Sequence, residues 1–153
     1  MRTRMTYDKK EIQDIIDKCD TCFIGMVDPE GKPYVLPMNF GYEDGVIYLH
    51  SAKTGRKIDI MKDNPEVCIA FSTDHNIFFR NETVACSYGM DYRSVLAYGK
   101  VVFVDDYEEK ARILNVIMRK YTGKDFSYNA PAVNNVEIYK VEPEKIEGKV
   151  SGS

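Results

Sequence analysis

The chain has 153 residues, which is the usual size of one domain and is enough to bury a sizeable core. Hydrophobic residues make up 44% and charged residues 29% of the sequence, which is typical of globular proteins and excludes a disordered or fibrous chain. With 21 Lys and Arg against 24 Asp and Glu, the net charge is −3, so the overall charge does not favour nucleic acid or an anionic membrane as a partner. We expect a single domain over residues 1–153.

Neither a membrane span nor a secretion signal is predicted. Uninterrupted apolar stretches such as Cys22–Val27 have the length of a strand, far below the ~18 residues that cross a bilayer. Residues 1–11 are charged throughout and lack the apolar segment of a signal peptide. We therefore expect a cytoplasmic protein without a membrane partner.

Four cysteines raise the question of metal or redox chemistry. Cys19 and Cys22 have the spacing of half a zinc site or of a redox dithiol, but Cys68 and Cys86 do not form the second close pair of a four-cysteine site. Disulfides are unnecessary in a cytosolic chain of this length, and free cysteine usually acts as a small apolar side chain. We expect no metal site, and a redox role of Cys19 and Cys22 stays open.

The first half of the chain predicts one helix and three strands. Asp8 and Glu11 have the spacing of a capping box, and the next apolar residues share one helical face: Ile12, Ile15, Ile16 and Cys19. Short β-rich runs separated by turn residues then predict strands over 21–28, 32–40 and 46–51. Because their connections are short, these strands must be antiparallel neighbours.

The second half mixes helices and strands. A short helix over 57–63 ends before Pro65, and a strand follows over 66–73. Residues 74–82 are predicted to be a loop, and 83–88 and 93–105 are predicted strands. Asp106 and Glu109 form a second capping box, whose helix ends at Gly123. A strand over 135–142 follows, with 146–150 continuing the edge.

About six strands with short turns and two substantial helices predict a mainly β fold. Closing an antiparallel sheet into a six-stranded barrel removes its exposed edges, and the helices would then flank the barrel. An OB-type barrel is the alternative. The helix between the third and fourth strands favours a different barrel from the OB fold.

Several segments occur in an order that is specific to a known family. They are 33–40 (PYVLPMNF), 45–52 (GVIYLHSA), 55–57 (GRK), 64–65 (NP), 92–95 (YRSV) and 99–100 (GK). The set resembles the FMN-binding split-barrel superfamily of pyridoxamine 5′-phosphate oxidase, and within it the nitroimidazole-resistance branch. The resemblance extends from about residue 21 to residue 141.

The resemblance implies an FMN site on these segments. It places Ser51, Arg56 and Lys57 around the phosphate, and residues 37–39 at the flavin ring. The cofactor-binding residues implied within one subunit are Pro37, Met38, Asn39, His50, Ser51, Ala52, Arg56 and Lys57. Two cations beside a glycine, on a polar turn that opens a helix, suit a phosphate. A solvated helix start is the structural alternative for Arg56 and Lys57.

His50 is the candidate catalytic residue. It is one of two histidines, its side chain can exchange a proton near neutral pH, and the resemblance places it beside the flavin face. A buried structural histidine is the alternative. The family forms twofold dimers, so the resemblance also implies a homodimer in which Arg93 and Ser94 approach the flavin of the partner subunit.

The function implied is an FMN-dependent oxidoreductase. Electrons would pass from a reduced nicotinamide cofactor, NADH or NADPH, through FMN to a small organic acceptor such as a nitro-aromatic. No G-x-G-x-x-G motif is present, so the nicotinamide would bind only transiently. Residues 142–153 lack the arginine and the aromatic residue that the family's oxidases use there, which argues against pyridoxamine phosphate as the substrate.

Two other functions stay open. One is a split barrel that holds a flavin (FMN or FAD) or haem without turning over a substrate. The other is an OB-like barrel that binds single-stranded nucleic acid through aromatic side chains, which the net negative charge argues against.

Overall fold

The computed structural model describes residues 2–152. The strands are β1 Thr3–Thr6, β2 Cys22–Val27, β3 Pro33–Met38, β4 Gly41–Glu43, β5 Val46–Ala52, β6 Glu66–Phe78, β7 Gly89–Val104, β8 Val136–Val141 and β9 Lys145–Ser151. The helices are α1 Lys9–Lys18, α2 Arg56–Asp63, α3 Tyr107–Thr122 and α4 Ala130–Asn134. A 3₁₀ turn lies at Ala85–Ser87. None of the helices in this range is long and apolar enough to cross a membrane.

The strands form one antiparallel sheet in the order β3-β2-β6-β7-β8-β5-β4, with β9 pairing with both β7 and β1. The 16-residue β7 connects the two halves: it pairs with β9 over Tyr92–Tyr98 and with β8 over Val101–Val104. One long strand thus exchanges partners where the sheet divides. The predicted antiparallel barrel with flanking helices is confirmed, but it has nine strands within residues 2–152 rather than six.

The additional strands lie where the sequence pattern is weak. β1 comes from the charged N-terminal segment and pairs with β9. β4 is only three residues long and pairs with β5. The strand predicted over 83–88 is wrong, because that segment contains the 3₁₀ turn, and the predicted loop over 74–82 instead carries β6 on to Phe78. The short α4, which begins at an Asn129 cap, was not predicted.

Both predicted capping boxes are half formed. Asp8 accepts a hydrogen bond from the backbone N–H of Glu11 (2.9 Å), and Asp106 accepts one from Glu109 (2.9 Å). The glutamates do not return the bond, because Glu11 pairs with Arg4 and Glu109 pairs with Arg112. α3 ends as predicted at Gly123, whose φ of 73° suits glycine.

Two hydrophobic cores lie on opposite sides of β5. The barrel core collects buried side chains from β2, β6, β7 and α1, among them Ile16, Ile24, Ile69 and Val95. The second core lies between β5, β8, α3 and α4. Successive side chains of a strand point to opposite faces, so Ile47 and Leu49 face the barrel core while Tyr48 faces the helices. β5 is therefore buried on both faces.

Candidate functional site

β3 lies at one edge of the sheet, next to the segment that leads from β5 into α2. Within residues 2–152, β3 pairs only with β2. Pro33 and Pro37 have no N–H to donate to β2, so they occupy positions whose backbone groups point away from β2. These positions alternate along an antiparallel strand, so Val35, which lies between the two prolines, also turns its backbone groups away from β2. The N–H and C=O groups of Val35 are therefore available at the free edge.

Tyr139 on β8 joins the end of β3 to the end of β5. Its side chain is fully buried, and its hydroxyl donates to Ser51 Oγ (3.2 Å) and lies 3.7 Å from Met38 Sδ. Ser51 in turn donates to the carbonyl oxygen of Ala52 (3.0 Å). Burial raises the pKa of Tyr139 to about 12, so the phenol is protonated at neutral pH. Met38 and Ser51, both predicted site residues, are thus brought together by a residue that the sequence analysis missed.

Arg56 forms a second connection between the same two segments. Its guanidinium carbon lies 4.5 Å from the centre of the Tyr34 ring on β3, and Nη2 lies 3.5 Å from Oδ2 of Asp28. The Asp28 side chain is 5% exposed and also accepts from two backbone N–H groups of its own turn, whereas the Arg56 side chain is 63% exposed. Arg56 is therefore held in place with most of its surface still accessible.

The two connections define a groove. Tyr34 and Met38 are four residues apart, which is about 13 Å along a strand. The Arg56 contact lies at one end of this stretch and the Tyr139 contact at the other. Between them, the free edge of β3 runs beside the segment from Ser51 to Arg56. A long, narrow ligand with a polar rim suits this shape.

The N-terminus of α2 lies at the Arg56 end of the groove. Gly55 has a φ of 137° and no side chain caps the helix, so the backbone N–H groups of its first turn are not satisfied by a cap. Arg56 and Lys57 add two positive charges there. Uncapped N–H groups and cations together favour an anion such as a phosphate. The donor set therefore fits the phosphate that the resemblance assigns to this turn.

His50 lies on the other face of β5 from Ser51. It is the register partner of Ile138 and shares its face with Tyr48, both of which belong to the core against α3 and α4. Burial lowers the pKa of His50, so the ring is neutral at pH 7. Ala52, at the exposed end of the strand, shares that face.

Residues 37–39 also divide between two faces. Pro37 is exposed on the outside of the sheet, Met38 is buried against Tyr139, and Asn39 is exposed just after β3 ends. The three predicted residues thus lie at one place in the fold, but the backbone groups of Met38 face β2, so Met38 can contribute only packing to a ligand outside the barrel.

Arg93 and Ser94 are neighbours on β7 and point to opposite faces. The Arg93 guanidinium lies 3.4 Å from Asp74 and 3.8 Å from Glu11, beside α1. Ser94 is the register partner of Ser72 on the outside of the sheet. Within residues 2–152, neither forms a hydrogen bond or ion pair with β3, β5 or α2. Their contact with a partner's flavin stays a prediction, and only Ser94 points away from the protomer.

The cysteines and the second histidine lie elsewhere. Cys19 and Cys22 are buried, and burial raises the pKa of both thiols, that of Cys22 to about 12. Thiols with such pKa values are protonated and unreactive at neutral pH. No group of three or more His, Cys, Asp or Glu in the described range is arranged to hold a metal. His75 accepts or donates a 2.6 Å hydrogen bond with Ser72 at the root of a long hairpin.

Solved structures with the same fold include a close relative. A candidate 5-nitroimidazole antibiotic resistance protein of Bacteroides thetaiotaomicron is 46% identical, with a TM-score of 0.88 over 97% of this chain and 87% of its own. A flavocytochrome of Azotobacter vinelandii (19% identity, TM-score 0.83, 97% and 70% covered) has the same fold. So does an FAD- and haem-binding protein of Mycobacterium smegmatis (13%, 0.84, 97% and 74%).

Family comparison agrees with the fold. No curated protein sequence matches the chain. Residues 8–150, however, match the family described as pyridoxamine 5′-phosphate oxidase, and this range includes every segment that carries the resemblance. With this match and the 46% identical relative, the chain belongs to the pyridoxamine 5′-phosphate oxidase family.

Proposed function

We propose that the protein is an FMN-dependent oxidoreductase that passes electrons from a reduced nicotinamide cofactor to a small organic acceptor such as a nitro-aromatic. The observation that carries the proposal is the groove between β3 and the β5–α2 segment, which ends at two cations and an uncapped helix N-terminus. The identity of 46% with a candidate 5-nitroimidazole resistance protein supports the class of acceptor.

In this proposal Arg56, Lys57 and the first N–H groups of α2 bind the phosphate of FMN. The N–H and C=O groups of Val35 hydrogen-bond to the polar rim of the flavin ring, as the free edge of a strand allows. Tyr139 holds the ends of β3 and β5 together and so fixes the width of the groove. FMN, when bound, supplies the redox chemistry, and the protein supplies binding, orientation and exclusion of water.

His50 is proposed to donate a hydrogen bond to the acceptor. Because burial keeps its ring neutral at pH 7, one ring nitrogen carries an N–H that can donate a hydrogen bond. The ring lies on the opposite face of β5 from Ser51, so it would meet the acceptor on that face and not at the phosphate.

We further propose a homodimer formed through the outer face of the sheet. Seven outward side chains in the central part of four neighbouring strands are uncharged, and this set is called the outer face: Phe23, Val35, Pro37, Cys68, Ala70, Leu96 and Tyr98. Phe23 and Val35 are 48% and 62% exposed. Charged side chains border this set: Glu66 and Lys100 lie at one end of β6 and β7, and Lys145 on β9 lies 5.5 Å from the Tyr98 ring. An apolar centre with a charged rim is typical of a protein interface, and an uncharged face is complementary to a second copy of itself.

The proposed function is tested by reconstituting the protein with FMN. Each charge-assisted hydrogen bond contributes about 1.5 to 3 kcal/mol, so replacing both Arg56 and Lys57 with alanine should weaken FMN binding by well over tenfold. The matched control is Lys9→Ala with Lys10→Ala, which removes two cations from the start of α1, a helix that Asp8 caps. Titration followed by flavin fluorescence gives the affinities. Equal affinity in the double variant and the wild type would refute the phosphate site.

A non-catalytic flavin- or haem-binding module is the second candidate. The fold is shared with a flavocytochrome and with an FAD- and haem-binding protein, which favours cofactor binding in general over one cofactor. The absorption spectrum of the purified protein separates flavin from haem. Reduction by NADH or NADPH, followed by reoxidation with a panel of nitro-aromatics and quinones, then separates an enzyme from a carrier.

A further inference from the structure

β6 and β7 extend past the barrel as a two-stranded hairpin, residues 73–92, which we call the arm. β9 accompanies β7 only as far as Tyr92, so the rest of the arm is paired only with itself. None of the arm residues is buried. Five large apolar side chains are nevertheless present and are 40% to 64% exposed: Ile77, Phe79, Val84, Tyr88 and Met90. An apolar segment this exposed indicates a surface that another molecule covers.

Four of these side chains lie on one face of the arm. Ile77 and Met90 are register partners, and the Phe79 and Tyr88 rings stack with centres 4.9 Å apart. Residues two positions apart on a strand point to the same side, so both pairs share a face. The arm therefore presents a single continuous apolar strip.

A β-bulge joins this strip to the outer face. The register runs from Thr73 opposite Arg93 to Asn76 opposite Asp91, so β6 carries one more residue than β7 across this stretch. On β7, Tyr88 and Met90 stay in phase with the outward Leu96. On β6 the extra residue reverses the alternation. Without it, Ile77 and Phe79 would point to the opposite side from Met90 and Tyr88.

The extra residue is accommodated at Asp74, whose φ is 57°, and the Ser72–His75 hydrogen bond spans it. As a result, the strip of the arm and the outer face lie on the same side of the sheet, with the uncharged Ser72, Ser94 and Tyr92 between them. If a second copy covers the outer face, it covers the arm as well.

We propose that each arm lies over the Pro37–Asn39 end of β3 in the partner subunit and closes the flavin site there. This inference rests on the proposed flavin site and on the proposed dimer. β3 and β7 lie at opposite sides of the outer face, and the arm projects from the end at which β3 finishes. A twofold axis parallel to the strands places the β7 side of one outer face against the β3 side of the other and leaves both arms at the same end of the dimer. It therefore brings each arm onto the partner's β3.

The distribution of charge favours this axis. A twofold axis perpendicular to the strands would instead place the apolar arm over the far end of the partner's β6 and β7. That end carries the Glu66–Lys100 ion pair (3.7 Å), with Lys32 in the nearby β2–β3 turn. Covering these groups with apolar side chains would cost free energy. By contrast, residues 36–41 at the other end of β3 carry no charge.

The chemistry of the arm indicates which acceptors can enter. The strip offers two stacked aromatic rings and two aliphatic side chains, and the only charged residues between positions 75 and 90 are Arg80 and Glu82. A flat aromatic or quinoid acceptor without a net charge can pack against such a surface. A phosphorylated or otherwise charged substrate would lose its hydration without gaining a partner.

A heterodimer tests whether the arm acts on the partner. One chain carries Phe79→Ser with Tyr88→Ser (arm variant), the other carries Arg56→Ala with Lys57→Ala (site variant), and different tags on the two chains allow the mixed dimer to be isolated. We expect FMN to dissociate from the arm-variant homodimer at least about tenfold faster than from the wild type. In the heterodimer, the one intact site is covered by the intact arm of the other chain, so its FMN should dissociate at the wild-type rate.

Two results would overturn the proposal. The first is a heterodimer that releases FMN as fast as the arm-variant homodimer, because the arm would then act on its own subunit. The second is an arm-variant homodimer that retains FMN like the wild type. Tyr107→Ser with Phe126→Ser is the control, since it removes two aromatic residues of similar exposure (38% and 42%) outside the outer face and the arm. This control should release FMN at the wild-type rate.

A measurement without flavin separates this proposal from the proposed function. If the wild-type chain takes up no FMN, the proposed function fails, but the position of the arm can still be measured by amide hydrogen exchange. The arm variant should then exchange faster than wild type at Met38 and Asn39. Equal exchange there would overturn the proposed position of the arm.

Discussion

At the scale of single residues, the groove depends on side chains that are fixed by contacts on more than one element. Tyr139 is anchored on β8 and reaches both β3 and β5, whereas Arg56 is anchored on α2 and reaches the β2–β3 hairpin. Neither residue belongs to β3, the strand whose free edge forms one side of the groove. Substitution of Arg56, whose side chain is 63% exposed, should therefore affect the groove more than the stability of any one strand, whereas substitution of the fully buried Tyr139 should also lower the stability of the domain.

His50 is expected to affect the rate of acceptor reduction without affecting FMN content. A hydrogen-bond donor placed at developing negative charge typically contributes ~10²-fold or more, so His50→Ala should slow reoxidation by an effective acceptor by about that factor. Stopped-flow absorbance of the reduced protein mixed with acceptor measures the rate. Equal rates for wild type and variant across the whole acceptor panel would remove His50 from the mechanism.

The same residue gives a pH dependence of stability. The folded state lowers the pKa of His50 by burial, so the unfolded chain binds the proton more tightly and acid favours unfolding. The free energy of unfolding should fall as the pH drops through the ordinary histidine pKa of 6.5. His50→Gln should show a smaller loss between pH 7 and pH 5 in urea titrations, and an identical loss would contradict the burial of the ring.

At the scale of elements, the start of α2 depends on a backbone conformation that only glycine adopts readily. The φ of 137° at Gly55 should make Gly55→Ala costly, by about 1 to 3 kcal/mol. No atom lies within 4 Å of the added Cβ, so the cost comes from the backbone and not from a clash. We expect lower stability and weaker FMN binding together. Thr54→Ala is the control, and denaturant unfolding with FMN titration measures both quantities.

Sequence pattern predicted the elements whose apolar residues repeat regularly. The capped helices α1 and α3 and the β2–β3 hairpin are close to their predicted bounds, because caps, turns and alternation agree there. The arm was misread as a loop and a separate strand, because the bulge at Asp74 interrupts the alternation and the exposed side chains are apolar.

For the site, sequence located the cationic turn and the end of β3 but could not assign faces. Ser51 and His50 are adjacent in sequence but point to opposite faces of β5, and Arg93 and Ser94 do the same on β7. Which of two adjacent residues points inward is set by the core against which the strand packs. Tyr139 gave no signal, since a tyrosine in a β-rich segment is as common in a core as in a site.

At the scale of the whole molecule, the outer face should decide both the oligomeric state and FMN retention. Phe23 and its register partner Ala70 lie in the middle of that face, so Phe23→Lys places a charge at the centre of the proposed interface, close to its own copy. We expect a monomer at micromolar concentration that retains little FMN, because part of the wall of each site is then missing. Sedimentation velocity and the flavin spectrum give the two readings.

Val102→Lys is the matched control for this change. Val102 is 52% exposed on β7, but it lies where β7 pairs with β8, outside the outer face. This variant should remain a dimer with normal FMN content. A Phe23→Lys chain that stays dimeric and loaded with flavin would show that the subunits associate through another surface.

The pairing of β1 with β9 sets the order in which the molecule can fold. Thr3 pairs with Ser151 and Thr6 with Gly148, across almost the full length of the described chain. The β2–β3 hairpin can form as soon as its own residues leave the ribosome, but β1 has no partner strand until β9 has been synthesised. Such distant contacts slow folding, to milliseconds or seconds in comparable β-rich domains. During that interval the apolar side of the sheet is exposed, and a newly made chain is most vulnerable to aggregation and proteolysis before its first strand is in place.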